Sequence, residues 1–216
     1  MSNKLSVKLL GSAFVLSISL QSAVAAVIAL PDSTGNGVGS SYEEQHSLST
    51  TISDDAAVYL VATMTMATAN TNGFDAVSFY AGATERFGAA RRFVNNDAVL
   101  AGSITVTTGT EFEAGNPILF VLKVNQITNF GALYVNPNLS DLESNNIVDA
   151  SATISGNNNY DNVRYRGSDS GNDVDYTNVA VYYGGDSPFS TIPEPSSLIL
   201  LGTGLMSFLL RRRRRV

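Results

Sequence analysis

The chain has 216 residues, 13 basic and 19 acidic side chains, a formal net charge of −6, one histidine, and neither cysteine nor tryptophan. The lack of cysteine excludes disulfide staples, thiol catalysis and cysteine-ligated zinc. The acidic balance excludes binding to nucleic acid through its phosphates.

The first element, residues 1–25, reads as a secretory signal peptide. Lys4 and Lys8 supply a positive start, Leu9 to Leu20 an uncharged apolar run, and Ala23-Val24-Ala25 the small-x-small pattern of a signal peptidase site. A run of 12 residues is too short to span a bilayer core of about 30 Å as a helix. Export through the Sec translocon, cleavage by signal peptidase and a new N-terminus at Ala26 are therefore expected.

The body, residues 26–191, holds six basic residues (Arg86, Arg91, Arg92, Lys123, Arg164, Arg166) and 18 acidic ones, a net charge of −12. Such a surface suits an extracellular domain and attracts divalent cations. Ala57–Thr65, Ala76–Tyr80, Ser103–Thr108, Pro117–Asn125, Ala132–Asn136, Asn162–Arg166 and Val179–Tyr183 are rich in β-branched and aromatic residues and read as strands. Turn clusters at 70–73, 109–116, 155–159 and 167–172 separate them. No internal window sustains a 3.6-residue apolar period, so the expected fold is an all-β, two-sheet sandwich.

Within the body, His46 lies in a polar stretch and reads as a solvated loop or edge residue rather than a general base. Glu111 and Glu113 are spaced to share one strand face, the arrangement paired glycosidase carboxylates need; the surrounding Gly109, Gly115, Asn116 and Pro117 favour a solvated hairpin instead. Asp169, Asp173 and Asp175, with Asn172, offer hard oxygen ligands in a glycine-containing loop, a structural calcium site or else an acidic surface turn. Threonines at 63, 65 and 68 and at 105, 107, 108 and 110 raise an ice-binding face, against which stands the lack of regular repeats. Asn138-Leu139-Ser140 fits the glycosylation pattern and reads as incidental in a bacterium.

The last element, residues 192–216, opens on Pro193-Glu194-Pro195, which breaks any helix just before the apolar stretch Ser196–Leu210; Arg211, Arg212, Arg213, Arg214 and Arg215 follow. Fifteen helical residues reach about 22 Å, a short transmembrane helix that snorkelling arginines extend. Positive charge resists translocation, so the arginines form a cytoplasmic stop and the body lies outside.

This tail closely resembles the PEP-CTERM sorting signal, in which a Pro-Glu-Pro triad, a short transmembrane helix and an arginine cluster end the chain. The resemblance implies an exosortase acting near Pro193-Glu194-Pro195 in a Gram-negative bacterium, transient residence in the inner membrane, and delivery to the cell surface or exopolysaccharide matrix. The same tail also travels under an ice-binding name, which says nothing about the body.

In the body, Ser78–Phe93 (SFYAGATERFGAARRF), Asn116–Asn125 (NPILFVLKVN) and Gly131–Leu139 (GALYVNPNL) resemble the LamG-like, concanavalin-type jelly rolls often found on PEP-CTERM proteins. The likeness spans about Val58–Tyr183, with Tyr134 where that family usually carries tryptophan. It implies a jelly roll and carbohydrate or surface binding, and names no catalytic residue. The reading is thus an exported, non-enzymatic surface or matrix protein associated with exopolysaccharide. A secreted glycan hydrolase using Glu111 and Glu113, or an ice-binding protein, are the alternatives.

Overall fold

The computed structural model describes residues 26–36, 42–67, 74–92, 96–102, 104–153, 159–168 and 174–190. The expected signal peptide, membrane helix and arginine cluster lie outside these residues, as do Asp169 and Asp173. Along the described chain run β1 (Ala26–Ala29), β2 (Ser33–Asn36), β3 (Tyr42–Ile52), β4 (Val58–Met66), β5 (Phe74–Ala81), β6 (Thr84–Arg91) and β7 (Asp97–Gly102). They are followed by β8 (Val106–Glu111), β9 (Ile118–Asn125), β10 (Phe130–Val135), a 3₁₀ turn (Glu143–Asn145), β11 (Ala150–Thr153), β12 (Tyr160–Ser168) and β13 (Val174–Tyr183).

All pairings are antiparallel and fall into two sheets. Sheet A has the order β1-β13-β4-β9-β10-β11, with β2 continuing beside β13; sheet B has the order β3-β12-β5-β6-β7-β8. The protein is an all-β sandwich, as its strand wording implies. Leu60, Met64, Phe120, Leu122 and Val181 of sheet A pack against Val77, Phe79, Phe87, Leu100 and Tyr165 of sheet B in one buried core. Gly131 on β10 lets the sheets approach: a Cβ there would sit 2.4 Å from Cε1 of Phe87.

The seven expected strands are all present, with one shifted. The expected Ser103–Thr108 strand forms as Val106–Glu111, because β7 precedes it and the hairpin between Leu100 and Val106 uses up the intervening residues. The turn expected over 109–116 thus begins after Glu111, three residues later than expected. The strands without a clear signal are mostly edges. β3 (YEEQHSLSTTI) is polar because it borders sheet B on one side, and only its inward residues such as Leu48 and Ile52 join the core. His46 sits on this edge strand, where its ring packs against Tyr165 at 4.4 Å and its Nε2 lies 3.2 Å from Glu44 Oε1.

The core also holds one ion pair. Asp75 on β5 and Arg91 on β6 are cross-strand partners, and Arg91 donates from Nε and Nη2 to Asp75 Oδ2, each at 2.9 Å, with Nη1 reaching Asn96 Oδ1 at 3.0 Å. Both side chains are essentially sealed from solvent. Burial raises the Asp75 carboxyl above its ordinary range against the pull of the adjacent Arg91 guanidinium.

Burial likewise raises the phenols of Tyr42, Tyr59, Tyr80, Tyr134, Tyr160, Tyr165 and Tyr176 above their ordinary value of 10.0. Groups raised in the folded state contribute stability that is complete below pH 10.0 and is lost as pH rises, because only the unfolded chain ionises freely. Titration followed at 295 nm is expected to show these tyrosines ionising together in a steep step that coincides with loss of the β-sheet signal. Gradual ionisation with the sheet signal intact would contradict this.

Candidate functional site

Alternation along β4, β9 and β10 sends Tyr59, Lys123 and Tyr134 to the outer face of sheet A, and the register sets Tyr59 beside Lys123. Across this face folds the segment after β10. Asn138 and Asn146 hold it together: the Asn138 backbone N–H donates to Asn146 Oδ1 at 2.8 Å, and Asn146 Nδ2 donates to Leu142 O at 3.0 Å. The 3₁₀ turn thereby points Glu143 down at the sheet.

Glu143 is the hub of the arrangement. Its Oε1 accepts from Tyr134 Oη at 2.7 Å and its Oε2 from Tyr59 Oη at 2.8 Å, while Lys123 Nζ donates to both oxygens at 2.7 and 2.9 Å. Burial alone would raise this carboxyl; the hydrogen bonds from Lys123, Tyr134 and Tyr59 outweigh it and hold Glu143 below its ordinary range. Burial alone would lower Lys123, and the same carboxylate keeps its ammonium above the ordinary lysine value. Lys123 also lies 5.5 Å from the Tyr59 ring centroid.

Phe189 closes one side, edge-on to Tyr134 at 5.3 Å and to Tyr59 at 6.2 Å. Two clefts open around the hub. A larger one, of about 790 Å³, runs between Glu143, Ser144 and Asn146 on one bank and Ser187 and Ser190 on the other. A smaller one, of about 260 Å³, lies over Lys123, Asn125 and Phe130; Tyr134, Glu143 and Val148 border both.

The opposite face of the sandwich carries a second polar array that is closed on itself. Arg166 Nη1 donates to Tyr80 Oη at 2.6 Å and to Glu85 Oε2 at 2.9 Å. Arg164 pairs with Glu43, lies 4.2 Å from the Tyr80 ring centroid and donates to Gly82 O at 2.9 Å. These contacts clamp β3, β12, β5 and β6 together, with both guanidinium groups engaged.

The residues singled out from sequence sit elsewhere. Glu111 ends β8 and Glu113 lies in the following turn, both exposed, with buried Phe112 between them. Glu113 accepts from Asn116 Nδ2 at 2.6 Å. Asp175 faces Thr65 across β13 and β4; among the described residues no group of three metal-ligating side chains converges. Thr63 and Thr65 lie on sheet A and Thr107 on the outer side of sheet B, so the threonine runs do not form one face. Sequence reading touched two of the hub residues, Tyr134 within GALYVNPNL and Lys123 within NPILFVLKVN. A lysine inside an otherwise apolar strand was the usable signal; Glu143 carried none.

The sandwich is similar to domains of glycan-active enzymes. A sialidase matches 69% of this chain and 15% of its own at 8% identity and a TM-score of 0.50. The fructosyltransferase from A. japonicus matches 79% of this chain and 28% of its own at 16% identity and a TM-score of 0.51. The catalytic domain of the glycoside hydrolase family 131 protein from Coprinopsis cinerea matches 66% of this chain and 61% of its own at 11% identity and a TM-score of 0.45. The chain thus spans less than a third of the sialidase and fructosyltransferase, and at these identities the likeness shows the fold alone, a jelly-roll-like β-sandwich. No curated protein matches the sequence. Residues 191–215 match the model of the PEP-CTERM protein-sorting motif. The chain carries that motif one residue after the described sandwich ends, and the motif implies an exported bacterial protein that an exosortase processes at the membrane on its way to the surface.

Proposed function

We propose that this is a non-enzymatic surface or matrix protein whose sheet A clefts bind a neutral polysaccharide after the tail has been cut. The carrying observation is the site around Glu143: hydroxyl, amide and carboxylate groups of Ser144, Asn146, Ser187 and Glu143 line a cleft wide enough for a sugar chain. Most glycoside hydrolases use two carboxyl groups about 5–9.5 Å apart, one of them protonated, and those with a tyrosine nucleophile need a phenol that ionises readily, whereas burial raises Tyr59 and Tyr134. Among the described residues Glu143 is the one carboxylate lining either cleft, and its three donors favour the ionised form. That chemistry supports holding a ligand and disfavours proton transfer to it. The body's net charge of −12 favours neutral over acidic glycans. The signal peptide at 1–25, a Gram-negative host and exopolysaccharide as the physiological ligand belong to this reading, as does a structural calcium ion at Asp169, Asp173 and Asp175.

Affinity electrophoresis of the mature body in gels containing neutral polysaccharides is the test. Retardation by at least one polymer is expected, together with its loss in Ser144→Trp, which fills the larger cleft without touching the Glu143 hydrogen bonds. Unretarded migration in every polymer would remove the ligand assignment. Hydrolysis of a glycan that is lost in the Glu111→Gln, Glu113→Gln double variant would replace it with the enzymatic reading.

A further inference from the structure

The sandwich leaves almost no slack before its sorting motif. Phe189 is only 4% exposed, wedged against Tyr59 and Tyr134. The backbone N–H of Ser190 donates to Leu139 O at 2.9 Å and to Asp141 O at 3.2 Å. The body is therefore fixed up to Ser190, and Pro193 follows three residues later. Three fully extended residues reach about 11 Å. Any enzyme that holds Pro193-Glu194-Pro195 in an active site stands against the face from which Ser190 emerges.

Exposed apolar side chains of the described residues gather at and beside that face. Six large hydrophobics are exposed among the described residues; Val148 at 44% and Phe130 at 41% line the clefts of this face, and Ile147 at 81% and Ile127 at 65% stand close to them in the chain. Val148 shares one cleft with Ser190 and the other with Phe130; Ile147 precedes it, and Ile127 stands in the turn that leads into Phe130. Isolated exposed hydrophobics are ordinary, whereas a cluster beside a constrained exit marks an interaction surface.

From this geometry we infer that the ridge of Ile127, Phe130, Ile147 and Val148 docks on the exosortase while the tail is being cut. The inference rests on the sorting motif and adds a recognition surface outside it. A lipid surface is the less suitable occupant, because interfacial binding draws on apolar area together with basic residues, and a body of net charge −12 offers few of the latter. The partner that fits is the processing enzyme, through an apolar patch beside its active site.

The test uses the full chain in a host that carries the exosortase, with precursor and mature forms followed by pulse–chase. In Ile147→Glu, Val148→Glu the precursor is expected to persist about tenfold longer, the loss typical when the centre of a docking patch is made charged. Ile104→Glu, an exposed apolar position between β7 and β8, is expected to be processed like the parent. A twelve-residue Gly-Ser spacer inserted after Ser190 uncouples the ridge from the cut site and is expected to slow the parent towards the rate of the double variant. A photo-crosslinking benzoylphenylalanine placed at Ile147 is expected to yield an adduct identified by mass spectrometry as the exosortase. Parental processing of the double variant, or adducts with lipid alone, would overturn the docking surface. Pro193→Ala, Glu194→Gln, Pro195→Ala separates the two readings. If that variant is cut normally, the sorting reading itself fails; if it is blocked while the ridge variant is cut normally, only the docking surface fails.

Discussion

Arg91→Met is expected to destabilise the sandwich by about 3–5 kcal/mol, the usual consequence of leaving one member of a buried ion pair without its partner. Asp75 would then lie sealed in the core with its carboxylate uncompensated, and the side chain of Asn96 would lose its donor. For a domain of this size the melting temperature should fall by roughly 10–15 °C. The double variant Asp75→Leu, Arg91→Met is expected to recover most of that loss, because it also removes the cost of desolvating two charges. The raised Asp75 carboxyl points the same way: the fold disfavours the charged form, so the pair is not a net source of stability. Thermal melts of the three proteins decide the matter. A double variant as unstable as the single would show that the pair stabilises the native sandwich in its own right.

Glu143→Ala is expected to cost about 2–4 kcal/mol and to free the 3₁₀ turn from sheet A, since Tyr59, Tyr134 and Lys123 all lose their acceptor together. The effect depends on pH in a fixed direction. Glu143 is lowered in the folded state, so its contribution is complete above the unfolded value of about 4.5 and disappears as pH falls through the folded one. Lys123 is raised, so its contribution is complete below about 10.5 and is lost above it. Denaturant midpoints of the parent and of Glu143→Gln should therefore differ most between these limits and converge in acid. A constant difference down to pH 2 would contradict the hub. Glu143→Gln also tests the clefts, since the sheet is expected to survive while the wall formed by the turn loosens.

The fold was legible because a sandwich places its strongest sequence signals where burial is two-sided. β4 and β9, at the centre of sheet A, are nearly continuous apolar runs and stand out at once. β3, β7, β8 and β11 are harder to read because they are edges, short strands or strands with small residues. Which strand pairs with which is also absent from local patterning. Nothing in YEEQHSLSTTI announces that its neighbour is Asn162–Gly167, more than a hundred residues away. The sites were the least legible. Glu111 and Glu113 attracted notice by their spacing, yet a period of two also describes residues that both face water. Glu143 has no local signal, because its role depends on a loop folding back over three strands whose contacting residues lie between 9 and 84 residues from it in sequence.

What the sequence determined by itself is the class of structure and the itinerary. Strand wording and the absence of helical periodicity dictate an all-β domain, and the order of proline break, apolar stretch and arginines encodes sorting, because such a tail is a linear motif whose three parts are consecutive in the chain. Tertiary structure alone decided what surrounds that tail. It converted scattered tyrosines, a lysine and a glutamate into one hydrogen-bonded hub, since carboxylate and phenol chemistry is set by neighbours across the sheet rather than along the chain. It also placed Ser190, pinned to Leu139, beside Val148 of the apolar ridge, so that the last described residue of the domain shares a face with that ridge.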